Sequence, residues 1–412
     1  MLLNKNTIAL SLEKAVKIIT TVLGSALIAR SLGEYDFGTI SFYISITTIG
    51  WTLATFGLNT ISIDLLHREK SIYLLRSILQ IRLASAILIS IISLSIFAIF
   101  DRDNFPIILI LSLRVFFSPL ESYEYLFKSQ DNFKKPSIIR SIATTISFTM
   151  ILLGFLNELG YIYFVIAITT EHVILNLLFW LNRKPINLDR NKTNNKIKTK
   201  EILAKAWPLA TSSVAVIVYM RTDIIMIRHY YTDTEVGIYS AATRISEFSY
   251  FIPGILTQAM IPTLLRLRDL NNSEYLNVFK RTFRLLFLSS IVFSILIYLC
   301  SSLITEIIYG SQFQKAAVIL SIHAFAMPFV YIGVAQRVYN TLNGNTKISL
   351  IQTIGGAIIN IILNATFIPR YGIQAAAFAT VISYSFSSLF INLYSRQTRK
   401  TFFIIIKSIY PF

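Results

Sequence analysis

The stretch KPSIIRSI, Lys135 to Ile142, and the stretch KISLIQTI, Lys347 to Ile354, share a lysine, a serine and two isoleucines in register. Each stands where a basic loop gives way to a long apolar run. If the two are copies of one unit, the chain has two halves. The number of membrane crossings between them then decides whether those halves are parallel or inverted.

A crossing helix needs about 20 mostly apolar residues. Apolar runs between charged or turn-forming breaks fall near 7–30, 37–60, 74–100, 105–128, 137–156, 159–181, 203–228, 237–265, 283–306, 316–341, 347–369 and 373–395, twelve in all. The two copies open the fifth and the eleventh. Six spans separate them, an even number, so the halves share one orientation and are expected to be related by a pseudo-two-fold axis along the membrane normal. The loop NLDRNKTNNKIKTK, Asn187 to Lys200, is polar and basic and reads as a linker. The expectation is an all-α integral membrane protein with twelve transmembrane helices. It has an N-terminal half (1–186), a linker (187–200), a C-terminal half (201–395) and a basic, apolar tail (396–412).

Composition agrees. The chain is 54% hydrophobic and 14% charged, with mean hydropathy +0.62, well outside the soluble globular range. Glu13, Lys14 and Lys17 interrupt the first apolar segment and no small-x-small site follows before Arg30, so it reads as an anchor rather than a cleaved signal. Cys300 is the sole cysteine, and His67, His172, His229 and His323 form no HExxH or other ligand spacing. No metal site and no cofactor are expected. The net charge of +17 suggests nucleic acid only in a soluble protein. Here the basic residues of loops and tails divide 25 against 5 if the N-terminus is cytoplasmic, which places both termini in the cytoplasm and leaves no nucleic-acid partner.

Charges inside the spans carry the functional reading. In VYMRTDIIMI, Val218 to Ile227, Arg221 and Asp223 stand two residues apart, about 200° around a helix, and cannot pair with each other. Leaving such groups in lipid costs roughly 2.5 to 3.5 kcal/mol each, so they must face protein or water. The seventh helix is expected to meet a hydrated cavity on one side and packed helices on the other. Glu13 with Lys17, Arg244 with Glu247, and Glu124 with Lys128 are spaced to neutralise one another locally. Lys14, Arg114, Arg221 and Arg337 have no opposite charge at i±3 or i±4, and they are the candidates for a cationic substrate cavity. Arg114, Ser118, Glu121 and Tyr125 form a polar stripe, with Glu124 close by. Two carboxylates at i, i+3 either share a proton or a bound Na⁺, or pair with basic groups on neighbouring helices. Glu121, Glu124 and Asp223 are therefore the candidates for coupling to H⁺ or Na⁺. Gly356, Asn360 and Asn364 make a small, polar face suited to helix packing.

Three stretches resemble one family. ARSLGEYDFG (Ala29 to Gly38) is similar to the ARxLGxxxFG signature of polysaccharide flippases. YMRTDIIMI (Tyr219 to Ile227), followed by VGIYSAATRI (Val236 to Ile245), resembles their seventh and eighth spans. NIILNATFIPRYGIQAAAFATVIS (Asn360 to Ser383) resembles NxxLNxxxIPxYGxxGAAxAT, with Ala375 where glycine is common. The resemblance is to the O-antigen flippases of the Wzx type, in the multidrug/oligosaccharidyl-lipid/polysaccharide exporter superfamily. It implies translocation of an undecaprenyl-pyrophosphate-linked oligosaccharide from the cytoplasmic to the periplasmic leaflet of a bacterial inner membrane. The partners implied are that glycan lipid, membrane lipid and other polysaccharide-assembly membrane proteins. An unpaired cationic cavity suits a diphosphate, arginine offering bidentate contact.

Two rivals share the architecture. A cation-coupled multidrug exporter calls for an acidic cavity. A membrane glycosyltransferase or polymerase calls for long extracytoplasmic loops, whereas the expected outside loops here are about ten residues or shorter; Glu34 and Asp36 in the first of them read as a solvated turn.

Overall fold

A computed structural model describes residues 5–69, 71–183, 199–270, 272–394 and 396–409, and the described residues form helices without strands. Most of the linker therefore lies outside the described residues. The chain divides into two compact units, Met1–Ile217 and Val218–Phe412.

The first unit holds α1 (Lys5–Thr55), α2 (Leu58–Glu69), α3 (Ile72–Phe100), α4 (Phe105–Phe117), α5 (Ser122–Ser129), α6 (Lys134–Leu156), α7 (Tyr161–Leu181) and the start of α8 (Thr199–Tyr230). Helix α1 covers two of the expected spans. The turn between them is a kink at Gly33, where φ 76° and ψ −177° suit a residue without Cβ. Helices α1 and α6 pack together, as do α6 and α7, and α4 rests on α3 and α7. Leu58, Leu65, Leu74, Ile78 and Leu126 enclose Ile202 and Ala206 in one apolar cluster. The first half of α8 is thereby part of this unit, and the contact division falls inside α8 rather than in the linker.

The second unit comprises the rest of α8, α9 (Asp233–Phe248), α10 (Phe251–Leu270), α11 (Asn272–Tyr309), α12 (Gln314–His323), α13 (Met327–Leu342), α14 (Thr346–Tyr371), α15 (Ile373–Ser388) and α16 (Arg396–Ile409). Its core joins α10, α11 and α13 through Leu264, Phe279, Phe283, Met327 and Tyr331. The stretch read as a tail forms α16, whose fully buried Ile405 enters that core, and Arg284 Nε donates to the Ser408 carbonyl at 2.8 Å.

Among the described residues, ten helical segments are long and apolar enough to cross a membrane. The first contains two expected spans, and the expected span 237–265 is divided between α9 and α10 by a break at Ser249–Tyr250, which together account for the twelve. The apolar side chains face outward: Leu88, Ile91 and Ile92 on α3 and Leu288, Val292 and Leu299 on α11 are exposed. Such continuous apolar surface requires a bilayer to cover it. Inside, many serine and threonine hydroxyls donate to carbonyls one turn back, as Thr47 does to Tyr43 at 2.9 Å and Thr169 to Val165 at 2.8 Å. Small polar groups satisfied in this way let these helices approach closely.

Candidate functional site

Pro119 is the local cause of the first unit's polar centre. It cannot donate an amide hydrogen, and the chain tightens into a 3₁₀ turn over Ser118–Glu121 between α4 and α5. Glu121, Glu124 and Tyr125 then face α3 and α6. Arg82, fully buried on α3, donates to Glu121 Oε2 at 3.0 Å and to the Tyr125 hydroxyl at 2.7 Å. Arg140 on α6 donates to Glu121 Oε1 at 3.3 Å and to Glu124 Oε1 at 3.1 Å. Lys128 Nζ lies 2.6 Å from Glu124 Oε1, the pairing expected from their spacing. Three cations thus enclose two carboxylates. Of the two arrangements expected for this carboxylate pair, the structure shows pairing with basic groups on neighbouring helices: Arg140 spans both and offsets their mutual repulsion.

A cavity of about 210 Å³ adjoins this network, bordered by Glu13, Lys17, Trp51, Arg140, Glu171 and His172 among others. Lys17 forms an ion pair with Glu171 on α7, 154 residues along the chain, and Thr144 Oγ1 donates to the same carboxylate at 2.8 Å. The local Glu13–Lys17 pair expected from spacing is therefore replaced by a tertiary one, and Glu13 accepts from Ser137 Oγ at 3.3 Å instead. Arg114 Nη2 lies 3.2 Å from His172 Nε2, which places it beside the cavity. The lining holds three carboxylates, Glu13, Glu121 and Glu171, against two cations, Lys17 and Arg140. The expected chamber of lone cations is corrected to a chamber of compensated charge.

In the second unit, α8 brings Arg221 and Asp223 to the rim of one small cavity with Tyr239, Glu247, Thr380 and Tyr384. Its volume, about 10 Å³, admits the centre of a single water. Arg221 is half-buried there, while Asp223 is buried. Its Oδ2 accepts from the Tyr239 hydroxyl at 2.6 Å and from Thr380 Oγ1 at 2.7 Å, and its Oδ1 accepts from Asn364 Nδ2. Asn364 Nδ2 also donates to Asn360 Oδ1 at 3.1 Å. All the hydrogen-bond partners of this carboxylate are neutral. Arg221 lies within Coulombic reach of Glu247, as does Arg244, and its buried Nε has no hydrogen-bond partner. His323 Nδ1 and Ser246 Oγ are 2.7 Å apart at the same level.

Of the four cations singled out in the sequence, Arg114 and Arg221 stand at these two cavities. Lys14 is half-buried and Arg337 exposed, and neither lines either cavity. Lys17, Arg140, Glu171 and His172 were missed as site residues. Gly356, read with Asn360 and Asn364 as a packing face, does approach Ser387 closely: a Cβ there would lie 2.8 Å from the Ser387 Cβ. The two asparagines, fully buried, instead turn toward Asp223. Their i, i+4 spacing was the available signal, but the carboxylate lies 141 residues from Asn364 along the chain.

The sequence model of the polysaccharide biosynthesis protein family matches residues 3–268, and that of the lipid II flippase MurJ matches residues 225–410. Capsular polysaccharide biosynthesis protein CapF from Staphylococcus aureus is 25% identical, over 73% of this chain and 78% of that protein. Among solved structures, lipid II flippase MurJ in an inward closed conformation superposes with TM-score 0.76 at 18% identity, covering 98% of this chain and 91% of that one. An inward-facing multidrug resistance MATE family transporter of the MOP superfamily gives TM-score 0.70 at 12% identity, covering 98% and 99%. At such identities the two structures establish the fold.

Proposed function

Because this chain belongs to the polysaccharide biosynthesis protein family, among the flippases of the MOP superfamily, we propose that it moves an undecaprenyl-pyrophosphate-linked oligosaccharide, an O-antigen-type repeat unit, from the cytoplasmic to the periplasmic leaflet of a bacterial inner membrane. The second matching sequence model is that of a flippase and the superposed structures are a flippase and a transporter, which speaks against the glycosyltransferase reading.

The observation that carries the proposal is the first unit's cavity. It places Lys17 and Arg140, their charges held by glutamates, at the depth of membrane-spanning helices, with Arg114 alongside against His172. A diphosphate entering there exchanges carboxylate oxygens for phosphate oxygens of the same charge, so the cations need not pass through an uncompensated state. Arginine suits this exchange because its planar donors grip two oxygens at once. The lipid tail stays in the bilayer, and alternating access carries the head group across.

Asp223 is the coupling residue in this reading. Asp223, Asn360 and Thr380 bring oxygen atoms together from α8, α14 and α15, with the Asn364 amide nitrogen between Asp223 and Asn360, and hard cations such as Na⁺ take oxygen ligands. A proton on the same carboxylate is the alternative.

The test is transport of a labelled lipid-linked oligosaccharide in proteoliposomes, comparing wild type with Arg114→Ala and Arg221→Ala. Both variants are expected to slow flipping. Wild-type rates in both would overturn the site while leaving the family intact, and transport unaffected by collapse of both ion gradients would remove the coupling. One feature favours a multidrug-type exporter of organic cations: carboxylates outnumber cations in the 210 Å³ cavity. Efflux of a lipophilic cation from the same vesicles, with no movement of the glycan lipid, would select that reading.

A further inference from the structure

A second cavity, about 460 Å³, opens between α6 and α7 at the end where α6 begins. Its residues grade from charged to apolar along each helix. On α6, Lys134 and Lys135 are followed on the same side by Ile138 and Ile142; just beyond the end of α7, Asn182 follows Leu178 by one turn. Among the described residues, no carboxylate lines the groove. Lys134 is exposed and has no hydrogen-bond or ion-pair partner among the described residues, while the Lys135 ammonium sits 5.1 Å from the Phe127 ring centroid. The wall is open to the surroundings, with Ile138 47% and Ile142 46% exposed. Next to it, the Arg183 guanidinium stacks 4.3 Å from the Trp180 ring, an aromatic and basic pair suited to the headgroup layer.

We propose that this groove holds one anionic phospholipid of the surrounding bilayer. Its phosphate rests on Lys134 and Lys135, and an acyl chain lies along Ile138, Ile142 and Leu178. The two lysines supply charge complementarity that a zwitterionic headgroup only half uses. From Lys134 to Ile142 the helix rises about 12 Å, enough to carry contact from headgroup level well into the hydrocarbon. The occupant differs from the transported lipid, and the site is separate from the 210 Å³ cavity: the two share none of their lining residues.

The experiment is native mass spectrometry of the full chain after exposure to equal amounts of phosphatidylglycerol and phosphatidylcholine. One phosphatidylglycerol is expected to be retained in preference. The double variant Lys134→Gln/Lys135→Gln is expected to lower that retention on the order of twenty-fold, at roughly five-fold per lysine. Ile142→Trp fills the wall without changing charge and is expected to lower retention of both lipids; it carries the test if the double variant does not fold. Lys205→Gln, basic but outside the groove, should leave retention unchanged. Equal retention of the two lipids by the wild type, or wild-type phosphatidylglycerol retention in the folded groove variants, overturns the proposal. So does displacement of phosphatidylglycerol by an equal concentration of undecaprenyl diphosphate, which would make the groove an entry port for substrate.

Discussion

Thr380 Oγ1 lies 2.7 Å from Asp223 Oδ2, a hydrogen bond between residues 157 positions apart that ties α15 to α8. With Tyr239 and Asn364 on the remaining positions, the carboxylate is solvated by side chains in place of water.

Asp223→Asn and Asp223→Ala should therefore separate charge from structure. The amide keeps an acceptor for the surrounding donors, so Asp223→Asn is expected to fold with a thermal midpoint close to wild type and to lose the response of flipping to an imposed ion gradient. Asp223→Ala orphans its donors at about 1–3 kcal/mol each and should lower the midpoint clearly. Thermal unfolding of the purified protein and gradient-driven transport report the two effects independently.

Arg82 is the most consequential structural charge. It is fully buried and holds Glu121 and Tyr125 together. Removing one member of a buried pair costs about 3–5 kcal/mol, so Arg82→Met is expected to reduce folded yield sharply. Arg82→Met/Glu121→Gln should recover part of it, and Arg82→Lys less, since a single ammonium cannot copy the two-sided grip. Chemical unfolding of all three variants measures the order.

Lys17 predicts the opposite pattern. Its side chain is 47% exposed, so its ion pair with Glu171 contributes little to stability. Lys17→Gln is expected to leave the thermal midpoint almost unchanged while raising the substrate concentration needed for half-maximal flipping. An unchanged half-saturation point would exclude Lys17 from contact with the diphosphate.

Gly57 is constrained by backbone. It adopts φ +67° between α1 and α2, and an added Cβ would lie 2.4 Å from the Ala210 amide nitrogen on α8. The neighbour is main chain and cannot rotate aside. Gly57→Ala is expected to cost more than the roughly 1–3 kcal/mol of a strained conformation alone, seen as a lower midpoint in thermal unfolding. Gly344→Ala, also at positive φ but with open space around it, should cost less.

By itself the sequence determined what adds up locally along a chain: helical spans, from runs of about 20 apolar residues; the break between the first two spans, from the charged residues Arg30, Glu34 and Asp36; and the membrane as solvent, from 54% hydrophobic content. Pairing one turn apart was equally legible, as Glu124 with Lys128 shows. Only the tertiary structure decided which distant partner each remaining charge takes. Lys17 reaches Glu171, Arg140 spans Glu121 and Glu124, and Asp223 gathers neutral donors from α9, α14 and α15. A buried charge must be compensated, but spacing within one helix constrains only its own next turn. The choice among groups on other helices depends on how those helices pack, and that choice turned an expected cationic chamber into a compensated one.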